Sequence, residues 1–238
     1  MPVNRIPESD PWSHLYSAKR KAIACATVIE EMLSFLPDDM SYEVLDFGLH
    51  RNPEELKKTL QDKIDQSSKE AEVLLLGYGL CSMAVVGLLS KSAYLVMPRT
   101  DDCIAIFLGS SREYKKQMQK EPGTYYLTKG WIEAGDSPFE EHKKLIEKYG
   151  EEKAQYMTRL LLKNYKRLGF INTGQHEIER YRTYARDKAK EFALRFEEIE
   201  GSPALVKKMI HGPWDEDFLV VSPGQTIHYK DLINSSPK

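Results

Sequence analysis

Residues 71–79, AEVLLLGYG, are apolar without alternation and end on a pair of glycines. A strand with one wet face alternates, whereas a strand with no polar face must be covered on both sides, as in the middle of a parallel sheet. Parallel neighbours need long crossovers, so the flanking sequence has to supply helices.

It does so on both sides. Lys21–Ala26 (KAIACA) reads as a strand, and Val28, Met32, Leu33 and Leu36 then recur at helical spacing. Tyr42–Phe47 reads as a second strand and Gly48–Asn52 as a loop. Pro53 then opens a helix whose face is Leu56, Leu60 and Ile64. Past the central strand, Cys81–Leu89 reads as a short apolar helix and Ala93–Met97 as a fourth strand stopped by Pro98. Arg99–Cys103 is a loop, Ile104–Leu108 an apolar helix or turn, and SSREYKKQM an amphipathic helix capped by Ser110 or Ser111. GTYYLTKGW is a strand or an ordered loop, and Pro138–Leu168 a charged helical excursion. Gly169–Asn172 is a short strand, Glu177–Glu197 a long helix, and FLVVSPG a closing strand.

The alternation predicts one α/β domain over residues 1–238. It would be a mostly parallel open sheet with helices on both faces, a Rossmann-like three-layer architecture with right-handed crossovers. The polar tails Met1–Ser9 and Ser235–Lys238 are expected to be mobile.

Charge and composition exclude several classes of partner. Lys plus Arg number 34 against 36 Asp plus Glu, a formal charge of -2, so no global field recruits nucleic acid or anionic lipid. The longest apolar runs, Val73–Leu76 and Ala84–Leu89, fall far short of the roughly 20 residues of a membrane span. Met1–His14 is polar and lacks a signal-peptide pattern, so the expected location is the cytoplasm. Three cysteines are too few and too odd in number for a disulfide framework, which leaves them as thiols or ligands.

In an open parallel sheet, ligands bind outside the carboxyl ends of the strands. Cys25 follows the first strand, Cys81 the glycine turn after the third, and Cys103 the loop after the fourth, so all three are expected at one end of the sheet. Three thiolates would hold zinc or an iron–sulfur cluster with one position open. The same three positions also suit buried packing, because cysteine behaves as a small hydrophobe.

Other candidates surround them. His50 is placed to join the cysteines, and the turn Gly77, Tyr78, Gly79 presents backbone N–H groups without matching a nucleotide-binding glycine pattern. Asp101 or Asp102 could ligate, act as general base or cap the next helix, and Arg99 could clamp an anion or pair with either. Tyr125, Tyr126, Lys129 and Trp131 could wall a pocket for a planar ligand or fill the sheet edge. Besides a metal protein, these residues fit a small-molecule or partner-binding module. They also fit a thiol enzyme with Cys81 activated at a helix N-terminus.

The segments ACATVIEEM, LDFGLHRNPEEL, LLLGYGLCSMAVVGL, PRTDDCIAIFLGSSREY, GTYYLTKGWIE and FLVVSPG, in this order, resemble the family known as domain of unknown function 1638. The resemblance implies a shared α/β domain, a site lined by Cys25, Cys81 and Cys103, and an anaerobic setting beside corrinoid-dependent methyl transfer. Iron–sulfur or corrinoid chemistry, with a corrinoid protein as a partner, would suit that setting. Glu140–Lys166 departs most from the family pattern and is expected to be a cover over the site.

Overall fold

The computed structural model describes residues 10–80, 83–135, 137–174 and 176–233. The tails Met1–Ser9 and Ser235–Lys238 and the cysteine Cys81 lie outside the described residues.

The chain opens with β1 (Arg20–Cys25), which runs directly into α1 (Ala26–Leu33), and continues with β2 (Ser41–Leu45). A 3-10 turn at Phe47–Arg51 leads to α2 (Pro53–Ser67), where Asn52 accepts from the Glu55 N–H at 3.3 Å and Pro53 occupies the first turn. β3 (Val73–Gly77) is buried at every position, as its unbroken apolar run demands. β4 (Tyr94–Pro98), α3 (Cys103–Leu108) and α4 (Ser111–Lys120) come next, with Ser110 capping α4 through the Glu113 N–H.

The second half supplies β5 (Thr124–Leu127), α5 (Lys129–Ala134), α6 (Pro138–Tyr149) and α7 (Glu151–Leu162). Then come β6 (Arg167–Asn172), α8 (Ile178–Glu191), β7 (Arg195–Glu200), α9 (Ala204–His211), β8 (Phe218–Val221) and α10 (Tyr229–Ile233). The architecture is the expected α/β one, mostly parallel and consistent with three layers.

The strands divide between two sheets. The first has the order β2-β1-β3-β4-β8, with β8 alone antiparallel, and the second is the parallel set β5-β6-β7. Ala24 sits opposite Val44 on one side and Gly77 on the other, which makes β1 and β3 the centre of the first sheet. The main core includes Ile23, Val28 and Leu75 of the first sheet's layers and reaches Tyr126, Ile171 and Ile199 of the second. A smaller cluster, with Phe139, Phe170 and Tyr181, fills the other side of the second sheet.

Three expectations are corrected. The described part of Cys81–Leu89 forms turns, not a helix, because Met83 has φ of 72° and Gly87 φ of 90°, values a right-handed helix does not contain. The long helix Glu177–Glu197 ends at Glu191, where Ala193 takes φ of 57° and Leu194 N–H donates to the Ala189 carbonyl. The chain then enters β7, whose acidic side chains are held by bases on neighbouring elements. The strict βα alternation also fails, since β8 returns antiparallel and α6 and α7 are consecutive. Among the described residues no helix is long and apolar enough to cross a membrane.

Candidate functional site

A cavity of about 290 Å³ lies at the carboxyl ends of β1 to β4. Each strand contributes where its chain leaves the sheet. From β1 comes Cys25, which is both the last strand residue and the N-cap of α1, with Sγ 3.2 Å from Thr27 Oγ1. Burial pushes this thiol's pKa up, and the contact with Thr27 offsets part of that rise.

From the end of β2 come Asp46, Phe47 and His50. Asp46 accepts from the Gly48 N–H at 2.7 Å, which folds the chain into the 3-10 turn and swings His50 back towards the cavity. From β3 come Gly77 and Tyr78. A Cβ on Gly77 would lie 2.6 Å from Ala24 Cβ and 2.9 Å from Val28 Cγ1, so only glycine lets α1 and β1 approach this closely.

From the loop after β4 come Asp101, Asp102 and Cys103. Asp102 caps α3, its Oδ1 accepting from the Ile104 N–H at 2.9 Å, and its Oδ2 accepts from Tyr114 Oη at 3.0 Å. Its pKa is raised by burial, against which these two hydrogen bonds pull. Gly79 does not line the cavity. It holds the β3 loop flat on this one, because a Cβ there would meet Thr100 Oγ1 at 2.7 Å and Asp102 N at 2.9 Å.

The last wall comes from the second half of the chain. Thr128 caps α5 by accepting from the Trp131 N–H at 3.2 Å, and Lys129 pairs with Glu30 of α1. Gly130 seats α5 on Thr27. Trp131 is thereby brought to the cavity, edge-on to Phe47 at 5.3 Å between ring centroids and stacked with His50 at 6.2 Å.

Of the residues singled out in the sequence, Cys25, Cys103, His50, Gly77, Tyr78, Asp101, Asp102 and Trp131 line this one cavity. Besides Gly79, four candidates stand apart from it: Lys129, paired with Glu30, Tyr126, which lines the neighbouring cavity with Tyr125, and Arg99 and Tyr125 themselves. Arg99 donates through Nε to the Phe218 carbonyl at 2.9 Å and lines a separate groove with Lys115, Lys116 and Asp217. Tyr125 packs edge-on to Phe139 and Tyr165 and lines a neighbouring cavity, which shares Asp102 and Trp131 with the first. Asp46, Phe47 and Leu56 join the lining without having been candidates, although the rule that singles out strand ends applies equally to Asp46 and Phe47 after β2.

The donor types around the cavity suit a metal: thiols, carboxylates and an imidazole. Among the described residues, however, no three His, Cys, Asp or Glu side chains converge closely enough to hold an ion. Cys81, the third expected ligand, lies outside the described residues, so a site built on three thiols depends on it.

No curated protein and no solved structure matches this chain. A family model described as protein of unknown function (DUF1638) matches residues 44–210, well over half of the sequence. That span contains Cys81, Cys103, His50 and Trp131 and begins after Cys25. The chain therefore belongs to the DUF1638 family.

Proposed function

We propose that the cavity is a metal or iron–sulfur site in which Cys25, Cys81 and Cys103 supply thiolates. The protein would act in the cytoplasm in redox or corrinoid-linked methyl-group metabolism. One observation carries this reading: Cys25 and Cys103, distant in sequence, line the same cavity. Had they been packing residues in separate parts of the core, the reading would have ended there.

Three thiolates would leave a coordination position open on zinc, or one iron of a cluster without a cysteine, for a substrate or a small ligand, and the bound metal would supply Lewis-acid or electron-transfer chemistry there. The protein's own residues would set the surroundings. Phe47 and Trp131 exclude water, while His50, Asp46 and Asp101 offer polar contacts to whatever enters. The raised pKa of Cys25 favours the thiol, so metal uptake has to displace its proton.

The test is anaerobic purification and reconstitution with zinc, or with iron and sulfide, and then metal and sulfide analysis. Stoichiometric metal that falls on replacing Cys81 or Cys103 with Ala supports the reading. No bound metal after reconstitution, or none lost in either variant, removes it.

The aromatic wall favours a second reading, a binding module for a planar small molecule or corrinoid without metal. Cob(II)alamin added to the metal-free protein would then quench Trp131 fluorescence, and the Trp131→Phe variant would lose the signal. A thiol enzyme built on Cys81 is less well supported, since residues 84–87 form turns and do not continue the α-helix that this reading expects after it.

A further inference from the structure

Five large exposed apolar side chains fall between Tyr149 and Leu161. On α7, Ala154, Thr158 and Leu162 face inward at intervals of one turn, whereas Tyr156, Met157, Leu160 and Leu161 face outward. Tyr156 is 70% exposed, Leu161 56% and Leu160 52%, and Tyr149 at the end of α6 is 43% exposed. Allowing roughly 100 Å² for each half-exposed side chain gives a patch of about 500 Å² per chain. Shared between two copies, that is about 1,000 Å², where specific interfaces begin.

The charges bordering the patch differ in net sign between the two ends of α7. Glu151, Glu152 and Lys153 together leave the start of α7 net acidic, while Arg159 in its last turn and Lys163 and Lys166 just beyond it make the other end basic. All six are exposed, and among the described residues their side chains enter no ion pair within the chain.

We propose that α7 is the contact helix of a two-fold dimer of this chain, packed antiparallel against α7 of a second copy. Antiparallel packing sets the acidic start of each helix beside the basic end of the other, whereas parallel packing would set like charge on like. With the axis midway along the apolar face, Tyr156 meets Leu161 of the second copy and Met157 meets Leu160. A two-fold contact of this kind uses one patch twice and closes at two copies. The mixed signs flanking the patch fit a second copy better than an anionic membrane, which would call for a uniformly basic border.

Sedimentation equilibrium of the full chain from roughly 1 to 100 µM, the range for an interface of this size, should show a monomer–dimer equilibrium. Leu160→Glu with Leu161→Glu should raise the dissociation constant at least about 100-fold, with an unchanged circular dichroism melt. Glu151→Lys with Glu152→Lys makes both ends of the helix basic, and Lys163→Glu with Lys166→Glu makes both acidic. Each variant should self-associate more weakly, and an equimolar mixture should form the mixed dimer in native mass spectrometry. A wild-type chain that stays monomeric overturns the proposal. A dimer indifferent to the leucine changes also overturns it, as does a mixture with no preference for the mixed pair.

Discussion

Tyr114 Oη donates to Asp102 Oδ2 at 3.0 Å while Asp102 Oδ1 takes the Ile104 N–H at 2.9 Å, so one carboxylate ties α4 to the start of α3. It does this on the wall shared by the thiol cavity and its aromatic neighbour. The position of Cys103, the first residue of α3, depends on that double contact.

Asp102 sets a stability signature. Its pKa is raised in the fold, so its protonated form is favoured, and its stabilising contribution is present below the ordinary carboxylate range and lost as pH rises through the raised value. Asp102→Asn keeps a capping acceptor and removes the buried charge. It should be at least as stable as the wild type at pH 7, with any difference disappearing in acid. Asp102→Ala should lose about 1–2 kcal/mol, because the cap goes with the charge. Urea unfolding across pH checks both, and an Asn variant clearly weaker than wild type at pH 7 would contradict the argument.

Glu197 behaves in the opposite sense. Lys120 first, then Arg195 and the fully buried Arg167, hold its pKa down to about 2. Its contribution is therefore present above the ordinary carboxylate value of 4.5 and is lost as pH falls from there through about 2. Glu197→Gln should cost about 2–3 kcal/mol at pH 7, discounted for the partial exposure of Glu197, and should flatten the acid limb of the stability curve. Thermal unfolding between pH 7 and 3 measures this, and an unaltered acid limb would refute it.

Cys25 should react slowly in the metal-free protein. With its thiol pKa raised by burial, the thiolate is scarce at neutral pH. Iodoacetamide labelling read by peptide mass spectrometry should give a rate below that of an unstructured cysteine peptide, climbing about tenfold per pH unit. Rapid labelling at pH 7 would show an activated thiol instead.

Gly77→Ala probes the closeness of β1, α1 and β3. The added methyl would sit 2.6 Å from Ala24 Cβ, in a layer with no slack. A loss of about 1–3 kcal/mol is expected from overpacking, together with a disturbed cavity floor. A variant as stable as the wild type would mean that α1 yields easily.

Much of the first sheet was legible in the sequence. Two βα starts, a doubly buried β3 and the proline that ends β4 each rest on local pattern, and local pattern also put Cys25 at a strand end and Cys103 beyond another. The second half was less legible because its signals are weaker or ambiguous. RFEEIE carries acids that are typical of a solvated helix, and only the bases on α4 and α8 and Arg167 on β6 explain why a strand accepts them. Arg99 shows the same limit. Its place after β4 was readable, yet the Phe218 carbonyl that claims its guanidinium comes from a strand far along the chain.

Periodicity, capping residues and glycine or proline stops depend on neighbours within a turn or a strand, so the sequence by itself determined that this is an α/β chain with Cys25 at the end of one strand and Cys103 beyond the end of another. Pairing partners depend on backbone groups brought together from anywhere in the chain. For that reason only the tertiary structure decided that the strands form two sheets and that β8 runs antiparallel. It also decided that Trp131, carried on α5 against α1, closes the cavity over Cys25 and Cys103.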